Sequence, residues 1–269
     1  MKLRRPCVAG YFYEASEERL RGQVGACLPK DRLPPQIALG GVVPHAGLMY
    51  SGPVAGSVYA LVQLPPTVVL LGPNHRGEGA PFSVSSADAW ETPIGRSEVD
   101  REFVKALLPA APELEREDTA HDGEHSIEVQ LPFLQCLGSG IKIVPIALGL
   151  QPFETYQRLG QELAGVVQAF PRKVLVLASS DMTHYEPHEV VREKDAEAID
   201  AILTLDERSL MERIRQRDIS MCGYAPTVAM LTCVKGLGAT SARLVSYRTS
   251  GDSSGDYRAV VGYAGILIQ

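Results

Sequence analysis

Thr67-Val68-Val69-Leu70-Leu71-Gly72-Pro73-Asn74-His75 is an apolar run of strand length that stops abruptly at a glycine, a proline and two polar side chains. A continuous apolar run, rather than an alternating one, marks a strand covered on both faces, as in the parallel sheets of α/β proteins. The format recurs along the chain. Ile37–Val43 (IALGGVV) leads into Pro44-His45-Ala46-Gly47, Lys173–Ala178 (KVLVLA) leads into Ser179-Ser180-Asp181-Met182-Thr183-His184, and Ile141–Leu148 (IKIVPIAL) is a further run. Helical patterns lie between these runs at Val54–Gln63, Val99–Leu108, Ile127–Leu137, Glu154–Phe170, Glu189–Leu205 and Ala225–Gly236, and late strands at Ala242–Arg248 and Tyr257–Ile268. Strands alternating with helices predict an α/β layered domain. Phe82–Ser86 followed by Trp90–Gly95 reads as a hairpin, so the sheet is expected to be mixed, though largely parallel. No break in composition divides the chain, and one domain over residues 1–269 is expected.

Composition bounds the function. The 269 residues carry a formal charge of −6, with 45% hydrophobic and 22% charged residues, which is ordinary for a globular protein. Nucleic-acid and anionic-membrane binding need a basic field, and neither is expected here. Cys7, Cys27, Cys136, Cys222 and Cys233 are an odd set without a C-x-x-C pair, which fits a reducing compartment rather than a disulfide scaffold. No secretory signal pattern opens the chain, and no run approaches the roughly 18 apolar residues of a membrane helix. A cytoplasmic location is expected.

Chemistry concentrates after the predicted strands, where open α/β sheets gather their ligands. His45 and His75 each follow an apolar strand directly. A neutral imidazole is a common ligand for iron, copper or zinc, and two on neighbouring strand ends could share one ion. The alternative is that each bonds a turn carbonyl. Cys222 precedes Gly223 and a helix start, a setting that stabilises a thiolate as ligand or nucleophile. Asp181 with His184 suits a general base and its orienting carboxylate, although Asp181 could equally cap a helix. His184 and His188 have the spacing of a zinc helix, but Pro187 between them argues against a continuous helix. His125 and Glu128 share a helix face if Ile127 opens a helix, while His121 in the acidic loop reads as solvated. Neither a phosphate-binding glycine loop nor a G-x-S-x-G elbow is present.

Taken together, several stretches resemble the Memo family, known in prokaryotes as AmmeMemoRadiSam system protein B. They are Ala9-Gly10-Tyr11-Phe12-Tyr13, Pro44-His45-Ala46-Gly47 with Tyr50-Ser51-Gly52, Leu71–His75, Glu124–Phe133, Ser179-Ser180-Asp181 with His184, and Cys222-Gly223. Their order and spacing span nearly the whole chain. The resemblance implies a single three-layer α/β/α domain similar to class III extradiol dioxygenases of the LigB type. Those enzymes hold non-haem iron(II) on two histidines and a carboxylate, and the Memo pattern replaces the carboxylate by cysteine.

Carried over by motif, His45, His75 and Cys222 are the expected metal ligands. His184 matches a general base, with Asp181 and His125 as further catalytic positions, and Tyr50, Asn74 and Glu128 are expected in the substrate pocket. The cofactor implied is iron(II) or copper, with zinc also compatible, because a thiolate favours softer ions than a carboxylate does. The implied function is a metal-dependent redox enzyme acting on a small molecule or peptide. The alternative is a metal-binding or peptide- or protein-binding scaffold using the same cleft. The family name further implies a pathway shared with AMMECR-type and radical SAM proteins.

Overall fold

The structure is a computed structural model and describes residues 1–31 and 33–269. The first half of the chain forms β1 (Leu3–Arg4), α1 (Glu17–Cys27), β2 (Gly40–Val43), α2 (Leu48–Leu61), β3 (Thr67–Pro73), β4 (Phe82–Ser85), β5 (Ala89–Thr92), β6 (Gly95–Glu98), α3 (Arg101–Ala110) and β7 (Glu115–Glu117). The second half forms α4 (Leu131–Leu137), β8 (Lys142–Leu148), α5 (Phe153–Ala169), β9 (Val174–Ser179), β10 (His184–Glu186), α6 (His188–Leu203), α7 (Glu207–Arg217), α8 (Tyr224–Gly236), β11 (Ala242–Thr249), α9 (Gly251–Ser254) and β12 (Val260–Ile268).

The main sheet runs β10-β12-β2-β9-β3-β8-β4-β7, with β11 paired to β12. Its centre, β2-β9-β3-β8, is wholly parallel, and antiparallel pairings of β12 with β2 and of β4 with β8 flank it. Every residue of β2, β3 and β9 is buried, which is why these strands read as unbroken apolar runs. Helices cover both faces. A methyl group added at Gly40 would lie 2.7 Å from Val234 on α8, and one at Gly265 would lie 2.7 Å from Val58 on α2. The β2–β12 pairing places Gly40 and Gly265 on opposite faces, so α2 and α8 sandwich the sheet. The result is the expected mixed three-layer arrangement. No helix among the described residues is long and apolar enough to cross a membrane.

Two local expectations change. Phe82–Ser85 does not pair with the segment after it. It joins the main sheet between β8 and β7, while Ala89–Thr92 forms its hairpin with Gly95–Glu98 and takes β1 on its other edge. The turn therefore falls at Pro93-Ile94, about six residues later than the apolar pattern suggests. Helices α1 and α7 are not apparent in the sequence, because α1 carries Gly22 and Gly25, α7 is dominated by charged side chains, and each buries few residues.

One buried carboxylate ties the sheet edge to its helix layer. Asp195 on α6 is fully buried, and accepts the Thr183 N–H at 2.9 Å and the Tyr247 hydroxyl at 2.8 Å. Burial outweighs these bonds and raises its pKa to about 6. A carboxyl whose folded pKa is raised favours the fold below its unfolded value, and that contribution fades as pH rises through the folded value. Asp195→Asn should therefore gain thermal stability relative to wild type between about pH 5 and about pH 7. Parallel thermal melts across that range test this, and a pH-independent difference would contradict it.

Candidate metal centre

Strands β2, β9 and β3 are adjacent and parallel, so their carboxyl ends open side by side. His45 follows β2, Ser179 ends β9 just before Asp181, and His75 follows β3. Two close approaches keep this corner tight. A Cβ at Gly72 would lie 2.6 Å from the Ser126 hydroxyl, and one at Gly223 would lie 2.4 Å from the Ser179 carbonyl oxygen. Only glycine fits at either position without displacing the loop that carries His125 or the turn that carries Cys222.

The fully buried His45 is oriented from behind. Its Nδ1 lies 2.8 Å from Ser179 Oγ. That hydroxyl donates its one proton to the Ser126 carbonyl at 2.7 Å and accepts the Gln130 amide at 2.8 Å. Gln130 is itself fixed, donating to the Pro44 carbonyl at 3.0 Å and accepting the Tyr59 hydroxyl at 3.0 Å. With the serine proton committed, His45 Nδ1 must be the donor, and Nε2 keeps its lone pair. Burial, followed by the neighbouring His125 and His75, holds the pKa of His45 well below the usual imidazole value.

His75 is oriented by a charge. Its Nδ1 lies 3.0 and 3.2 Å from the two oxygens of Glu124, which also accept the His75 and Ser126 backbone N–H groups at 2.8 Å each. Burial pulls the pKa of His75 down, but the Glu124 bond and charge outweigh it and hold it above the usual value. Glu124 is held well below the ordinary carboxylate range, because these same partners overcome its own burial. His125 Nδ1 is 3.5 Å from the same carboxylate, and its ring stacks on His75 with centroids 4.8 Å apart. The donor atoms of His45, His75 and His125 all lie within 4.8 Å of one another, which among the described residues is the group placed to hold a metal ion.

Cys222 stands on the other side of His45, with Sγ 3.3 Å from His45 Nε2 and accepting the Asp181 N–H at 3.2 Å. Burial, then the Asp181 charge, pushes its thiol pKa far up. His184 lines the cleft, and its Nδ1 lies 2.9 Å from the Ser220 carbonyl oxygen, which leaves Nε2 without a hydrogen-bond partner. Asp181 does not orient His184. Its Oδ1 accepts the backbone N–H groups of His45 at 2.8 Å and Ala46 at 3.3 Å, which fixes the turn carrying His45.

The remaining sequence-derived residues separate. Tyr50 lines a cleft of about 690 Å³ with the histidines. Asn74 does not line it. Its side chain closes its own loop, donating to the Glu78 carbonyl at 2.7 Å and accepting the Gly77 N–H at 2.9 Å. Glu128 is not a pocket residue either. It is fully buried, ion-paired with Arg4, and accepts the Cys7 and Val8 N–H groups and the Tyr13 hydroxyl. It anchors the N-terminal segment that brings Phe12 to the cleft. His121 is fully buried against Trp90 rather than solvated. Sequence alone reads Glu124 as a cap and Tyr263, which lines the cleft, as part of a strand. Its only hint for Glu124 was the adjacent His125, and for Tyr263 there was none.

Comparisons with known proteins agree along the full chain. The model of the Memo-like protein family matches residues 4–267. A MEMO1 family protein of Methanosarcina barkeri is 46% identical over 268 residues, covering 99% of this chain and 100% of its relative. One from Pyrobaculum aerophilum is 44% identical over 278 residues, with 99% of each chain covered. Among solved structures, the uncharacterized protein JW3007 from Escherichia coli K12 superposes with a TM-score of 0.55 at 12% identity, covering 78% of this chain and 89% of that one, and so shares the fold.

In Ser179→Ala the acceptor behind His45 disappears, so proton–nitrogen correlation spectra of the imidazole should change from a pure Nδ1–H tautomer to a mixture, and Ser179→Thr should restore it. A pure tautomer in Ser179→Ala would contradict the relay. Arg4→Met leaves Glu128 buried without its cation and should cost about 3–5 kcal/mol in chemical denaturation, while metal content per folded chain stays unchanged.

Proposed function

The chain belongs to the Memo-like protein family, and from that we propose a metal-dependent redox enzyme related to the extradiol dioxygenases, with one non-haem iron or copper ion at the mouth of β2, β9 and β3. The observation that carries this reading is the back-side anchoring of His45 and His75. Each has its Nδ1 tied to a fixed partner, so that Nε2 is available. Metal-binding histidines characteristically spend the second nitrogen on such a carboxylate or oxygen.

The donor set fits an ion. His45 and His75 are the common members of both possible sets, His125 completes the group of three imidazoles, and Cys222 adjoins His45. A nitrogen at about 2.1 Å and a thiolate at about 2.3 Å from one metal stand roughly 3.1–3.6 Å apart at ordinary bond angles. The 3.3 Å between His45 Nε2 and Cys222 Sγ falls in that interval. Neutral imidazoles suit iron, copper and zinc alike, and recruitment of the thiolate leans toward softer ions.

When bound, the ion supplies a Lewis-acidic and redox-active centre. The chain's own groups do the rest. His184, anchored through Nδ1 to the Ser220 carbonyl, presents Nε2 to the cleft as a proton acceptor. Asp181 holds the His45 turn and faces the same space. Phe12, against His125 with ring centroids 4.8 Å apart, and Tyr50 shield one side from water.

Anaerobically purified protein should carry about one iron or copper per chain, and His45→Ala and His75→Ala should each lose it. Elemental analysis decides, and undiminished metal in both variants would overturn the reading. His184→Ala should keep its metal but lose oxygen uptake with any substrate that wild type turns over, which separates an enzyme from a metal-binding scaffold.

A further inference from the structure

We propose that Lys194 is a positioning residue for His184, holding in one grip the strand that bears this histidine and the loop that orients it. The inference rests on the reading of His184 as the proton acceptor of the cleft, and it adds a side chain outside the cleft that keeps the imidazole aimed.

His184 is poorly held by its own strand. β10 is three residues long and pairs with β12 only through His184 with Val261 and Glu186 with Val260, with an irregularity between the two. Tyr185 between them sits at φ 60°, a conformation unfavourable for a bulky residue. Such a backbone persists only where its surroundings fix it. The imidazole depends on Ser220, whose hydroxyl accepts the His184 backbone N–H at 2.8 Å and whose carbonyl oxygen lies 2.9 Å from Nδ1. Ser220 itself lies in the irregular link between α7 and α8, residues 218–223.

Two consecutive residues of α6 supply what the ladder lacks. Asp195 accepts the Thr183 N–H at 2.9 Å, immediately before His184. Lys194 acts on the other side. Its ammonium donates to the Glu186 carboxylate at 2.7 Å and to the Asp218 carbonyl at 3.0 Å. These contacts close a ring. It runs from His184 along β10 to Glu186, across Lys194 to Asp218, along the link to Ser220, and back to His184 through two hydrogen bonds. Any drift of Ser220 away from the imidazole must stretch a contact of Lys194 or the short segments of chain between.

An ammonium suits this place. Asp218 is the C-cap of α7, in the left-handed conformation at φ 49°. Helix C-termini carry partial negative charge and unpaired carbonyls, which a lysine satisfies. The side chains of Lys194 and Glu186 are 16% and 30% exposed, and a partly buried pair is screened little by salt. Neither residue lines the cleft, so Lys194 acts on His184 through geometry alone.

The test observes the histidine directly. Proton–nitrogen correlation spectra of the full chain, with the His184 signals assigned by their loss in His184→Gln, report which nitrogen of the neutral ring bears the proton. Wild type should show a single Nδ1–H tautomer. Lys194→Met should give a mixture, with the Nδ1 proton exchanging about tenfold faster, the factor set by one ordinary hydrogen bond. Lys194→Arg should restore most of the wild-type state. Glu186→Gln, which keeps the Asp218 contact, should shift less in the same direction, and it replaces Lys194→Met if circular dichroism shows that variant unfolded. Arg213→Met is the control. Arg213 ties α7 to α6 through the Glu197 carbonyl and the Asp200 carboxylate, both at 2.7 Å, and makes no hydrogen bond to the link or to β10, so its loss should leave His184 unchanged. An unaltered His184 in Lys194→Met, or in Glu186→Gln where that variant replaces it, overturns the proposal, as does an equal change in Arg213→Met. Metal content and oxygen uptake in His184→Ala judge the underlying reading, so the two can fail separately.

Discussion

The site depends on one constraint, the commitment of the Nδ1 proton of each key histidine to a fixed acceptor behind it. Three acceptors of different chemistry achieve the same end. His45 uses a serine hydroxyl whose own proton is already placed, His75 uses a carboxylate, and His184 uses a backbone carbonyl. An imidazole with a free Nδ1 would rotate and exchange tautomers, and its lone pair would face the cleft only part of the time. With Nδ1 held, the ring plane and the nitrogen that faces the cleft are set before any ligand arrives. Such preorganisation removes an ordering cost that would otherwise come out of binding free energy.

The sheet order makes this economical. Because β9 lies between β2 and β3, its terminal Ser179 stands beside the residues that follow both neighbours. One hydroxyl can then join His45, Gln130 and the Ser126 carbonyl. The loop holding Ser126 also holds Glu124 and His125, so a single crossing segment connects the two histidine anchors. Gly72 admits that segment against β3, and Gly223 admits the turn of Cys222 against β9. A side chain at either glycine would separate the anchors from the groups they orient, so these positions act on the chemistry through geometry alone.

Much of this was legible in the sequence, and the limits have physical reasons. Strands buried on both faces are continuous apolar runs, so β2, β3, β8 and β9 and the polar residues that follow them could be read directly. Of the residues matched through the family resemblance, His45, His75 and Asp181 lie at these strand ends, while His125 and Cys222 reach the site from other segments. Glu128 was misplaced because its cation is Arg4, more than a hundred residues away, and no local pattern reveals a buried ion pair across that separation. Glu124 reads as a cap because it does accept the Ser126 N–H, and its second task, orienting His75, depends on how the loop crosses β3. Tyr263 sits in an apolar strand where a tyrosine looks like packing, and only the fold shows that it lines the cleft.

Cys222 shows how the same geometry couples the thiol to a cation. In the chain alone, His45 Nε2 has a lone pair and no proton, so the nearby thiol is the natural donor across the 3.3 Å gap. Burial and Asp181 disfavour its ionisation, and the Asp181 N–H aimed at sulfur offsets only part of that cost. A thiolate in this position therefore requires a positive charge to replace the proton. A metal ion meeting the His45 lone pair would sit where that replacement occurs, and its binding would release the thiol proton. As a thiol the cysteine is a poor nucleophile, the opposite of an exposed, low-pKa reactive cysteine, and on the proposed reading it would act as a ligand only once an ion had replaced its proton.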